Sequence, residues 1–213
     1  KISWPDIRHI GGDQGLLAQP GAPDHLILGP GDREEVELLI GDEPFSIMAH
    51  PYSLFGGDAV GMPMAVAHVT ISGPGMKSNP LPLDYSYASP TLDPGYTDVR
   101  YTFQGFGENW MINGETFPDV TIAEFEVGQE IIMEVRNISP TQHPFHTHGH
   151  AFEVLTLNGE APRVKLMSDN YDIPIGGIAR LRMELNNPGD WMVHCHILPH
   201  ADDGMMTVMR VLE

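Results

Sequence analysis

The stretch 191-WMVHCHI-197 decides the reading of this chain. It is one of eight short runs that read as strands, and side chains along a strand face alternately to its two sides. His194 and His196 therefore point one way and Cys195 the other. One short strand can thus serve two metal sites, the thiol reaching an ion on one side and both imidazoles reaching ions on the other. The peptide between them is a covalent bridge for electrons.

Outward from that strand, the runs 98-DVRYTF-103, 109-NWMING-114, 121-TIAEFEV-127, 130-EIIMEVRNI-138, 151-AFEVLTL-157, 180-RLRMEL-185 and 205-MMTVMRVL-212 complete the set. Eight short strands in roughly 130 residues fit one complete Greek-key barrel. Residues 72–95 are rich in Pro, Gly and Ser without sustained periodicity, which marks a linker, with a domain boundary near residue 80. Before it, 25-HLILG-29, 34-EEVELLI-40, a run from Phe45 to His50, and 66-VAHVTI-71 read as strands, and 29-GPGD-32 has the chemistry of a tight turn. A sandwich usually needs about seven strands or more, so residues 1–80 read as an incomplete domain plus linker and residues 81–213 as a complete one.

Composition agrees with an all-β chain: 23 glycines and 19 prolines accompany a scarcity of helix-period apolar stripes. A formal charge of −18 argues against nucleic acid or an anionic membrane as partner, because phosphates attract Lys and Arg. It suits solubility and a neutral or cationic substrate. The single cysteine excludes an intrachain disulfide framework and makes Cys195 conspicuous. No apolar run nears the ~18 residues of a membrane span, and Lys1-Ile2-Ser3-Trp4 has no signal-peptide character, so any export signal is expected outside these residues.

Seven of the eleven histidines fall in two short windows, 143-HPFHTHGH-150 and 194-HCHILPH-200. Neutral imidazole is the commonest metal ligand, whereas an isolated histidine such as His9, His25, His50 or His68 is usually structural. A thiolate, two imidazoles and a weak axial thioether form the ligand set of a blue copper electron-transfer centre. His200 and Met205 follow Cys195 at plus five and plus ten, in a loop that can fold back over one ion, and His143 can supply the second imidazole. In the first window His146 and His148 share a face while His143 can point away, the same split made by His194, Cys195 and His196.

These windows, read as 143-HPFHTHGH-150 and 194-HCHILPHADDGM-205, resemble the paired C-terminal copper motifs of the multicopper oxidases, above all laccase-like and bacterial copper-resistance oxidases. The stretches 169-DNYDIPIG-176, 188-PGDWMVHCH-196 and 27-ILGPGDREEVELLI-40 are similar to further parts of that family, the last to its middle domain. The resemblance implies a cupredoxin-like Greek-key β-barrel preceded by an incomplete second cupredoxin domain. It implies His143, Cys195, His200 and Met205 as type 1 copper ligands, His146 as a type 2 ligand, and His148, His194 and His196 as type 3 ligands. His150 matches a position that is not a ligand.

It further implies an oxidase that takes single electrons from a small reducing substrate, a phenol or a metal ion. They enter at the type 1 copper, pass through Cys195, His194 and His196, and reduce dioxygen at a three-copper cluster. Eight histidines hold that cluster in the family, four of them in two N-terminal His-x-His motifs, and none precedes residue 146 here. The chain is therefore expected to be a periplasmic or secreted fragment, inactive alone. Its partner would be the N-terminal part of the same oxidase, or a separate chain supplying both motifs. Ala201 stands where many bacterial relatives carry an acidic residue, leaving Asp202 or Asp203 as possible substitutes in proton delivery. The rival reading is a non-enzymatic electron-transfer or copper-binding module, which needs neither the histidines flanking Cys195 nor the pair at His146 and His148.

Weaker features have bland readings. Met62 and Met64 could be soft Cu(I) ligands, although methionine more often fills cores. Met206 should face away from the axial position given to Met205. Asp169 could orient a histidine or cap a turn, and Trp110 and Trp191 read as core residues.

Overall fold

Short alternating runs give a chain of strands, as a computed structural model of residues 1–4, 7–38, 40–53, 59–73, 89–163 and 165–213 shows. The leading segment contributes β1 (Ile2–Ser3), β2 (Ile7–Gly12), β3 (Gly15–Gly21), β4 (Glu35–Leu38), β5 (Phe45–Ala49) and β6 (Met64–Val69). The barrel follows with β7 (Val99–Phe106), β8 (Asn109–Ile112), β9 (Ala123–Glu126), β10 (Glu130–Asn137), β11 (His143–Thr147) and β12 (Phe152–Leu157). It ends with β13 (Leu166–Ser168), β14 (Asn170–Ile173), β15 (Ile178–Glu184), β16 (Gly189–Cys195), the short helix α1 (Leu198–Asp202) and β17 (Met206–Leu212).

Two sheets enclose the core. One runs β13-β12-β15-β10-β7-β8 and the other β14-β11-β16-β17-β9. Period-two burial along β15 and β17 sends Ala179, Leu181 and Met183 inward from the first sheet and Thr207, Met209 and Val211 from the second. All of these but Thr207 join Phe103, Met133, Phe145, Phe152, Val193 and Cys195, themselves fully buried, in one cluster. Burying each large apolar side chain contributes roughly 1.5–3 kcal/mol. The parallel pairs β7–β10 and β9–β17 require the chain to cross between the sheets.

Eight strands are expected from sequence in the barrel, and all eight are present within a few residues of the expected limits. Three more appear: β11, β13 and β14, the last within 169–176, which the family resemblance reads as a strand and turn. Pro144 argues against a strand flanked on both sides, since proline cannot donate to the ladder. Here its carbonyl still accepts the His196 N–H (3.0 Å), and β11 pairs with β14 and β16. The loop expected after Cys195 contains α1, with Pro199 in its first turn, where proline is tolerated.

The leading segment departs further from expectation. Its strands form two small sheets, β1-β5-β6 and β3-β2-β4. The β2–β3 hairpin is unexpected because Gly11, Gly12, Gly15, Pro20 and Gly21 dilute its apolar pattern, whereas 25-HLILG-29 makes only an isolated bridge from Leu26 to Ile2. Among the described residues before the barrel, Ile10 and Leu26 are the only buried apolar side chains apart from glycine. Met62 and Met64, read as core fillers, are 88% and 65% exposed. The linker expected over 72–95 and its boundary near residue 80 fall mainly on 74–88, outside the described residues.

Candidate metal centres

Strand pairing builds both sites at once. β11 runs antiparallel to β16 with Phe145 opposite Cys195 and His146 opposite His194. His143, Phe145, Val193 and Cys195 consequently face the core, while His146 and His194 face the other way. The alternation read from sequence is the alternation observed.

On the core side, His143 Nδ1 lies 3.3 Å from Cys195 Sγ and 3.3 Å from His200 Nδ1, and Sγ lies 3.9 Å from His200 Nδ1. A triangle with these sides has a centre roughly 2 Å from every corner, the reach of imidazole and thiolate bonds to a transition metal (~2.0–2.3 Å). The donor set and its spacing fit one copper ion. Met205 is fully buried beside them, its N–H donating to the His200 carbonyl (2.9 Å) and its carbonyl accepting the Cys195 N–H (3.1 Å). Met206 starts the alternation of β17 facing outward from it.

Trp110, read from sequence as core, does more. Its ring stacks on His200 with centroids 3.8 Å apart and meets His143 edge-on at 5.3 Å. Sequence gave no signal for this, because the pairing of β7 with β8 brings the indole there.

On the opposite side the rings of His146, His148, His194 and His196 form a nest with neighbouring centroids 5.0–5.7 Å apart. His148 Nε2 and His194 Nε2 stand 3.0 Å apart. His146 Nδ1 donates to the Asp169 carbonyl and His194 Nδ1 to the Cys195 carbonyl, both at 2.8 Å. Carbonyls only accept, so both rings carry their proton on Nδ1 and leave the Nε2 lone pair for a metal. His146, His148 and His194 offer donor atoms within 4.8 Å of one another, and this side too fits copper.

Two features of the leading segment support the nest. Arg33 clamps the Asp169 carboxylate through two bonds of 2.9 and 2.8 Å, fixing the residue whose carbonyl holds His146. Asp169 thus orients a histidine with its backbone. The turn expected at 29-GPGD-32 is present, with the Asp32 N–H donating to the Gly29 carbonyl at 3.2 Å. Its Gly31 has φ of 91° and lies so close to His196 that a Cβ would fall 2.5 Å from the ring. Only glycine suits that position.

Other histidines are tied elsewhere. His9 pairs with Glu34, His50 with Ser3 and His68 with Ser46. Buried His150 stands outside the nest, packed edge-on against Trp191, whose indole donates to the Asn187 carbonyl. Asp202 and Asp203 are exposed, and Asp203 acts on His200, on the Cys195 side.

Electrostatics suits metal-ready imidazoles. Burial, with a lesser push from His200, lowers His143 to about 3. Burial lowers His194 to about 4 and also depresses His146 and His200. Burial raises the Cys195 thiol to about 12, only partly opposed by the Ile197 N–H. A bound cation is what would favour the thiolate there.

A sequence model of the multicopper oxidases matches residues 90–213. The multicopper oxidase mco of Staphylococcus haemolyticus is 34% identical over 120 residues, 53% of this chain and 27% of that protein. Dihydrogeodin oxidase of Aspergillus terreus is 33% identical over 114 residues, 43% and 19% of the two chains. The chain therefore spans about a quarter or less of the length of these curated relatives. A solved structure described as a metallo-oxidase, a multicopper oxidase from Campylobacter jejuni, superposes over 100% of this chain and 50% of its own length. Its TM-score is 0.81 at 22% identity, a likeness of fold. The family match runs the length of the barrel and takes in both groups of histidines, and by it the chain belongs to the multicopper oxidases.

Proposed function

We propose that this chain carries the electron-accepting site and half of the oxygen site of a multicopper oxidase. His143, Cys195 and His200, with Met205 as the weak axial donor, would hold a type 1 copper. His146 would bind type 2 copper, and His148, His194 and His196 the type 3 pair. The observation that carries this reading is the donor triangle of 3.3, 3.3 and 3.9 Å on one face of β16, with four imidazoles on the other. Copper bound there would supply reversible one-electron chemistry, oxidising a reducing substrate and reducing dioxygen to water.

The residues themselves do the connecting. The Cys195 carbonyl accepts from His194 Nδ1 at 2.8 Å, so thiol and nest are joined through the peptide and also through a hydrogen bond. His200 is part-exposed while His143 is wholly buried, so electrons would enter at the His200 edge. Four imidazoles are half of what the family's cluster uses, so two His-x-His motifs from outside these 213 residues would complete it. The N-terminal portion of the same oxidase or a partner chain could supply them.

Residues 1–80 fit the late part of a middle cupredoxin-like domain plus linker, and residues 81–213 the C-terminal copper domain. A phenol or a low-valent metal ion is the substrate class, in keeping with relatives named for dihydrogeodin and for metallo-oxidation. A periplasmic or secreted location goes with this reading, and cell fractionation tests it. The nest argues against a plain electron-transfer module, for which those four histidines have no use.

Electron paramagnetic resonance of the copper-loaded chain, with a copper count, tests the assignment. The wild type should give a type 1 signal that Cys195→Ser removes. A wild-type chain that takes up copper without that signal sinks it.

A further inference from the structure

His146 and His194 take their tautomer directly from backbone carbonyls, whereas His143 does not. Its Nε2 meets the Ser139 hydroxyl at 2.5 Å, and a hydroxyl can either donate or accept. What settles the direction is Asn137, two positions before Ser139. Asn137 Nδ2 donates to the carbonyls of Thr141 (2.8 Å), Ile173 (3.0 Å) and Pro174 (3.2 Å). Three acceptors around the amide nitrogen exclude the flipped amide, so Oδ1 must face Ser139, whose N–H donates to it at 3.0 Å.

The Ser139 hydroxyl has one hydrogen and two neighbours that only accept, Asn137 Oδ1 at 2.8 Å and the Thr141 carbonyl at 3.0 Å. Giving that hydrogen to His143 would leave a bare oxygen facing both. Giving it to either acceptor leaves Ser139 Oγ free to accept, and every group is then satisfied. Asn137, Ser139, Thr141 and His143 are all at most 4% exposed, where an unmatched polar pair is costly.

We propose that Asn137 and Ser139 are positioning residues that hold His143 with its proton on Nε2, so that the Nδ1 lone pair faces Cys195 and His200 before any metal arrives. This rests on the reading of His143, Cys195 and His200 as copper ligands. Three backbone carbonyls fix an amide, the amide fixes a hydroxyl, and the hydroxyl fixes an imidazole. Outer partners of this kind are worth about 10–100-fold in metal affinity.

The test is two-bond proton–nitrogen NMR on the 15N-labelled, copper-free 213-residue chain, with the His143 ring assigned by its loss in His143→Gln. The wild type should show protonated Nε2 and bare Nδ1, and a ring protonated on Nδ1 or divided between tautomers overturns the proposal. Ser139→Ala should mix the tautomers and weaken copper binding at the thiolate site about 10–100-fold, and Ser139→Thr should restore both. A Ser139→Ala chain that folds, keeps the single Nε2–H form and binds copper as tightly as wild type also overturns it. If that variant does not fold, the wild-type spectrum still decides. Failure of the copper reading looks different, since the wild type would then give no thiolate-to-copper absorption whatever its tautomer.

Discussion

The two faces of β16 make a comparison within one strand. On the inner face the donors of His143, Cys195 and His200 close a triangle in the core, seated against Trp110. On the outer face four imidazoles stand at similar spacing, but His148 is exposed and the support comes partly from another segment, through Arg33 and Gly31. The inner site is made by the barrel alone. The outer one is made by the barrel and whatever packs against it, so the two should respond to different perturbations.

The largest separation should come from His148→Ala. It removes an exposed imidazole of the nest, so copper bound through the proposed outer donors should be lost, while the thiolate absorption of the inner site should persist. Loss of both signals together would mean that the faces are not independent. Trp110→Ala works from the other side, removing the ring stacked on His200 and costing about 3–5 kcal/mol in a urea titration. Its spectroscopic effect should be confined to the thiolate site.

Acid should act on both faces of the copper-free chain. His143 and His194 sit near 3 and 4 in the fold, against about 6.5 when unfolded. Below that value the unfolded chain takes up protons that the fold refuses, so stability is lost as pH falls from about 6.5 toward 4. Asp172, raised to about 6 by burial and then by Asp32, works against this, because the fold takes up its proton first as pH falls below 6. These three groups leave a net loss of about 2–4 kcal/mol between pH 7 and 4.5, which His146 and His200, also depressed by burial, deepen; it is read as a lower urea midpoint. A flat profile would show that the histidines are better hydrated than their burial implies.

Gly31→Ala should be milder, about 1–3 kcal/mol, because it strains a left-handed turn and presses on His196. The His196 ring resonances should shift and those of His143 should not. Smallest of all is Met62→Ser on the exposed surface of the leading segment, with a change within about ±0.5 kcal/mol. A larger loss would mean that this methionine is covered in solution.

Much of this was legible in the sequence because it depends on period two. Alternation placed Cys195 opposite His194 and His196, and the same rule separated His143 from His146 and His148. Strands such as β15 and β17 were legible for that reason too. What escaped was what period two does not encode. Pro144 masked β11, whose hydrogen bonds are completed by neighbours far along the chain. Glycines hid the β2–β3 hairpin. The stacking of Trp110 on His200, the Arg33 clamp on Asp169 and the seat of His196 against Gly31 join residues 90–165 positions apart, and no local pattern marks them.

The register between β11 and β16 carries a further consequence. Phe145 lies opposite Cys195 and His146 opposite His194, and a slip of one residue would turn every side chain of a strand to the other face. Cys195 would then stand among imidazoles on the outside, and His194 would enter an apolar core. The two centres thus share a single point of failure: a misthreaded strand cannot spoil one and spare the other, and a chain that has formed either has already proofread both.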